Sequence, residues 1–286
     1  MNNLWSLLKE TFHAWHQDNV VLLAGALSFF AVFSLVPILV ITIAIAGQFL
    51  GEQQAQQEIY RQATILFNPQ AAHAIKSLLA GATKSSAGIA SFFSGVLLIF
   101  ISIRVFSQLQ DALKIIWRVK EKKIGLIKSA LKKRFLSFLM LIGVGLFLFL
   151  ALLLDISLQL FSSSVNQWMP EIDKLLLLRF SSVVASLIVF TILCAMVYRF
   201  GPRTNVQWKD VWFGAVTASF LLLVSRYLLT FYFRWSNIIT LYGAAGSIIV
   251  ILLWIYFSAQ IFLFGAELTW AYAYRFGSRA KSPLPE

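Results

Sequence analysis

The stretch YGAAGSIIVILLWIYFSAQIFLFGAELTW, Tyr242 to Trp270, decides how this chain is read. From Ser247 to Ala266 it runs 20 residues without a formal charge. As a helix rising about 1.5 Å per residue, that is about 30 Å, the thickness of a bilayer's hydrocarbon core. It is too long and too uniformly apolar for a strand, and a soluble core helix would need protein on every side. The segment reads as a transmembrane helix that opens on a Gly-rich turn and closes on a carboxylate, Glu267.

Composition extends that reading to the whole chain. Of 286 residues 59% are hydrophobic and 13% charged, with mean hydropathy +0.78. Soluble domains carry about 25% charged residues. Lys and Arg number 24 against 12 Asp and Glu. In a membrane chain such an excess marks positive-inside loops and contact with anionic lipid sooner than nucleic acid. The single cysteine, Cys194, sits in an apolar run, which excludes an intrachain disulfide. Residues 1–20 are amphipathic and carry charge, unlike a signal peptide, so insertion is expected to rely on the first membrane helix.

Six membrane helices are predicted: 20–49, 88–108, 135–158, 175–198, 211–233 and 242–270. Residues 1–19 read as an interfacial helix, with Leu4, Leu7, Leu8, Phe12 and Trp15 at helical spacing. His13 and His16 stand three apart but lack a local third ligand, and read as a wet helix face rather than a metal site. Asp18 or Asn19 is expected to cap the first membrane helix. Pro37 removes a backbone donor inside that helix and predicts a kink, a candidate hinge together with Gly243 and Gly246. Ala24, Ser28 and Ala31, and Gly214, Ala215, Ala218 and Ser219, form small-residue faces. These suit close packing within one protomer or between protomers of a homo-oligomer. Residues 50–87 read as two amphipathic helices separated at Asn68-Pro69, forming a periplasmic cap. Residues 109–134 read as a basic cytoplasmic loop. Gly201-Pro202 reads as a helix stop.

Six crossings put both termini on one side. The connections on that side hold 16 Lys and Arg, and the opposite connections hold six. The excess assigns both termini and the 109–134 loop to the cytoplasm. Lys122, Lys123, Lys128, Lys132, Lys133 and Arg134 are the expected contacts to anionic lipid headgroups.

Four stretches, taken together in this order, resemble the bacterial YihY/BrkB inner-membrane family. They are LAGALSFFAVFSLVPILV from Leu23, DALKIIWRV from Asp111, GPRTNVQWKDVWFGAVTAS from Gly201 and YGAAGSIIVILLWIYFSAQIFLFGAEL from Tyr242. The likeness covers nearly the whole chain. It implies a six-helix inner-membrane protein. Labels within the family include a virulence or serum-resistance factor and, in an older tradition, ribonuclease BN. It implies no settled mechanism, and no catalytic residue is carried over from it.

The chemistry in the chain argues against an enzyme. A metal-dependent ribonuclease needs clustered His and carboxylates, whereas this chain has three His, and His73 falls on the opposite predicted side from the other two. GxxxxGK[ST], HExxH and GxSxG are all absent, so the chain is no ATP-driven pump by itself. No cofactor, metal or nucleic-acid partner is expected. What remains are ionisable groups at membrane depth, which are costly and therefore functional candidates. Depth alone places Arg104 with Glu267 near the inner face. It places Asp155 with Arg226, about 22 Å into its helix, near the outer face. Such pairs either fix helix register or bound a polar path. The expected fold is an all-α integral membrane bundle. The expected function is transport-type or lipid- and amphiphile-handling, without an ATPase of its own. The alternative is a membrane scaffold or assembly factor acting through protein partners.

Overall fold

The computed structural model describes residues 2–66, 72, 76, 104–119, 171–202, 206–236 and 244–280. The regular elements among them are all helical. In chain order they are α1 (Asn2–Gln17), α2 (Val20–Leu50), α3 (Glu52–Leu66), α4 (104–116), α5 (Glu171–Phe200), α6 (Trp208–Trp235) and α7 (Ala244–Arg275). Residues 88–103 of the expected helix 88–108, the expected helix 135–158, most of the second cap helix, Asp155, Gly243 and the six basic residues from Lys122 to Arg134 lie outside the described residues.

Among the described residues, two helices are long and apolar enough to cross a membrane, Trp208–Phe233 within α6 and Ile248–Arg275 within α7. The run 5–17 with 20–35 makes a third candidate, bent by 63° where α1 meets α2. The sharp bend thus falls at Asp18-Asn19, while α2 continues as helix through Pro37. Asn19 explains the break. It adopts a left-handed conformation, with φ 49°, and its side chain makes no cap hydrogen bond, contrary to the expected capping role. Asparagine tolerates that conformation better than most residues.

α7 is the axis of the molecule, packed by α6, α2 and α1. Small residues permit its closest approach. A Cβ on Gly265 would come within 2.5 Å of Tyr198 Oη and 2.6 Å of Ala218 Cβ. A Cβ on Gly214 would collide with Thr269 Oγ1 and the Gly265 carbonyl. Gly214, Ala215, Ala218 and Ser219 are all buried. That face therefore packs α6 onto α7 inside the chain, as small residues do where helices must approach without water to drive them. Tyr198 fastens α5 to the same place, its Oη donating to the Phe262 carbonyl at 2.6 Å.

The ends are tied down by polar contacts. α5 stops at Gly201-Pro202, as expected, and a Cβ on Gly201 would strike Leu113 of α4. α7 closes on a turn in which the Gly277 and Phe276 amides both donate to the Tyr272 carbonyl. Asp210, buried at the start of α6, accepts from the Ser278 amide at 3.1 Å and from the Ser278 hydroxyl. Arg275 of α7 pairs with Glu10 of α1 at 3.2 Å. α3 lays Ala55 and Ile59 on Ile43 and Ala46 of α2, confirming an amphipathic helix there. α4 carries on past the expected boundary at 108. Ala112, Leu113 and Ile116 are buried, because that part of DALKIIWRV is apolar on one face.

Candidate functional site

Between α2, α4, α5, α6 and α7 lies a cavity of about 330 Å³. Its wall is almost wholly aliphatic and aromatic: Leu27 and Ala31 of α2, Phe106 and Leu109 of α4, Phe190 and Val197 of α5, Leu222 and Leu223 of α6, and Ile255 and Phe262 of α7. Its polar lining comes from the Ser186, Ser219 and Ser258 hydroxyls, the Cys194 thiol, the Trp254 indole and the Arg226 guanidinium. Ser219 spends its proton on the Ala215 carbonyl at 2.8 Å. Ser258 Oγ is buried without a hydrogen-bond partner.

Helix directions sort these groups along the cavity. Cys194 lies against Ser219 and Tyr198, and Tyr198 reaches Phe262, so these residues share one end. Arg226 stands seven residues beyond Ser219 on α6, about 10 Å along the axis. Because α5 and α7 both run antiparallel to α6, Ser186 and Trp254 fall at the Arg226 end. The result is a slot, apolar along its length and cationic at one end. Arg226 is half-buried with its guanidinium carbon 5.9 Å from the Tyr227 ring centre, and no carboxylate pairs with it among the described residues.

A second polar centre lies where the α1–α2 turn crosses α7. Glu267 is completely buried, and neither Oε1 nor Oε2 meets a hydrogen-bond donor. The charged groups acting on it are the Asp18 carboxyl and the Arg118 guanidinium. Arg118 also sits 4.4 Å from the Trp270 ring centre and donates to Gln17 Oε1 at 3.3 Å. Like Asn19 it holds a left-handed backbone, with φ 48°. Burial pushes the Asp18 carboxyl above its ordinary range, opposed by its contact with Glu267 and by the Arg118 charge. The turn thus sets the Asp18 and Glu267 carboxyls in contact, with the Arg118 charge acting on both.

Depth matched Arg104 with Glu267, and no hydrogen bond joins the two. Arg104 lies exposed in α4, about 18 Å of helix from the Ile116 end. Arg118, just past that end, is the residue that reaches Glu267. The expected Asp155–Arg226 pair includes a residue outside the described ones. Gly246 is buried in the first turn of α7, and Pro37 is interior to α2. Sequence reasoning missed Asp18, Arg118 and the cavity hydroxyls. A carboxylate at a helix break, and the arginine inside DALKIIWRV, were the available signals for the first two. Among the described residues no group of three or more His, Cys, Asp or Glu comes together to hold a metal.

The comparisons with known proteins agree with a membrane chain. A UPF0761 membrane protein, lpg0643, of Legionella pneumophila is 26% identical over 258 residues, which is 90% of this chain and 59% of that protein. A UPF0761 membrane protein of Pseudoalteromonas translucida is 26% identical over 257 residues, 88% of this chain and 81% of that one. One from Neisseria meningitidis is 24% identical over 260 residues, 90% and 61% respectively. The chain thus spans about three-fifths of the length of the first of these relatives. No solved structure matches. The sequence profile of the family described as Virulence factor BrkB matches residues 11–285, and the chain accordingly belongs to that family of membrane proteins.

Proposed function

We propose that this protein is a six-helix inner-membrane protein that binds, and passes along, a small amphiphile. Its termini face the cytoplasm, and it has no ATPase of its own. The observation that carries this is the slot between α2, α4, α5, α6 and α7, apolar in its wall and with Arg226 at one end. At about 330 Å³ it falls in the range of ligand pockets, about 300–1,000 Å³. The functional reading is non-enzymatic. Among the described lining residues, the Arg226 guanidinium and the Ser186, Ser219 and Ser258 hydroxyls are suited to orienting a ligand.

The competing reading is a scaffold that works through protein partners. It draws on the exposed ridge of α6, where Trp212, Val216, Phe220, Leu228 and Phe231 face outward. A lipid-facing surface has the same composition. Native mass spectrometry of protein released gently from its own membrane, with identification of retained lipids, separates the two readings. An amphiphile held at fixed stoichiometry and lost on filling the slot through Ala259→Leu, a change in its α7 wall, supports the first. A stable assembly holding no ligand, unchanged by that substitution, supports the second and sinks the first.

A further inference from the structure

The slot specifies more than an amphiphile. From its shape and the Arg226 charge, we infer that it takes a single-chain anion, a fatty carboxylate or a monoacyl phosphate, with the head at Arg226 and the chain running towards Phe262. This rests on the amphiphile reading above and narrows it.

The sign of the ligand follows from Arg226. A half-buried guanidinium bordering an apolar wall has lost part of its water, and no carboxylate among the described residues replaces it. An anionic headgroup would supply the missing charge through two parallel hydrogen bonds, the geometry guanidinium favours with carboxylate and phosphate alike. A cationic head would set an ammonium against it. The Ser258 hydroxyl is a second reason to expect a ligand, since it is buried with no partner, and native structures rarely leave such groups unpaired.

The single chain follows from the dimensions. The slot runs about 10 Å along α6 from Ser219 to Arg226. Five helices wall it, with bulky residues such as Phe106, Phe190 and Phe262. Its volume is at the small end of ligand pockets. Two acyl chains side by side would need a wider opening.

The test is equilibrium binding to the full chain in detergent micelles, with three probes of matched chain length and one diacyl lipid. The single-chain probes are a fatty acid, a monoacyl phosphate and the uncharged fatty alcohol, and the fourth is phosphatidylglycerol. The expected result is that both single-chain anions bind. Arg226→Gln should then weaken them by about tenfold or more, the loss expected for a charge-assisted contact, and leave the alcohol unchanged. Ala259→Leu should weaken all three single-chain probes. Each variant is checked by its melting curve, and Arg226→Lys, which keeps the charge, should retain part of the affinity. Equal binding of alcohol and anion, indifferent to Arg226→Gln, overturns the anion assignment but leaves the amphiphile reading standing. Tighter binding of phosphatidylglycerol overturns the single-chain assignment. Failure of every probe overturns both readings. The ratio of the two anions identifies carboxylate or phosphate as the head.

Discussion

Asp18 and Glu267 bring two carboxyl groups together where the α1–α2 turn crosses α7, with the Arg118 guanidinium acting on both. Neither Glu267 oxygen has a donor. Removing one carboxyl group therefore takes away like-charge repulsion, and removing the guanidinium takes away the cation acting on both. Glu267→Gln, whose amide can donate to Asp18, should melt at or above the wild-type temperature. Arg118→Gln should melt below the wild type, because it removes the cation that acts on both carboxyls. Thermal unfolding in detergent measures both, and an Arg118→Gln protein as stable as wild type would contradict the arrangement.

The same turn predicts a pH dependence. Burial raises the Asp18 carboxyl above its ordinary value of 3.8, so the folded chain holds that proton more tightly than the unfolded chain does. The stabilisation is complete below the ordinary value and is lost as pH climbs through the raised one. Melting temperature should fall across the acid range as pH increases, and Asp18→Asn should flatten that slope. A slope unchanged in Asp18→Asn would assign the effect to another group.

The α6–α7 crossing predicts a sharp contrast among glycines. Gly214→Ala and Gly265→Ala each push a methyl into backbone or packed side chains and should cost about 1–3 kcal/mol, the usual penalty of overpacking. Gly25→Ala is the control, because the nearest atom to its new Cβ is Tyr256 Cε2 at an ordinary 4.0 Å. Equal melting curves for all three variants would mean that α6 and α7 do not approach at these glycines.

Asp210 holds the end of α7 through Ser278. Asp210→Ala removes two hydrogen bonds to a charged acceptor, each worth about 1.5–3 kcal/mol. The expected outcome is faster amide exchange and proteolysis at 276–280, while the α6–α7 crossing stays protected. If exchange there does not change, the contact does not anchor the tail.

Tyr198 supplies a smaller test. Tyr198→Phe deletes one hydrogen bond to the Phe262 carbonyl and keeps the ring, so about 1 kcal/mol should be lost. A loss several times larger would assign the hydroxyl a further role at the adjoining end of the slot.

The sequence by itself determined the solvent and much of the helical framework. Apolar runs such as 247–266 have one stable form in lipid, where each backbone N–H and C=O must be satisfied within its own segment. Hence α2, α5, α6 and α7 fall within a few residues of their expected bounds, and Gly201-Pro202 ends α5 as its chemistry requires. What the tertiary structure decided is which side chains meet. Sequence position sets a residue's depth along its helix, but rotation and choice of neighbour come from packing. Arg104 and Glu267 were matched by depth, yet Glu267 faces Asp18 and Arg118, residues from two other parts of the chain. The small residues of α6 could have served an oligomer. Gly265 on α7 meets them, since its missing side chain lets the two backbones come this close. The slot at Arg226 belongs to no single segment. It is the space five helices leave between them, a property of how they cross rather than of any one stretch.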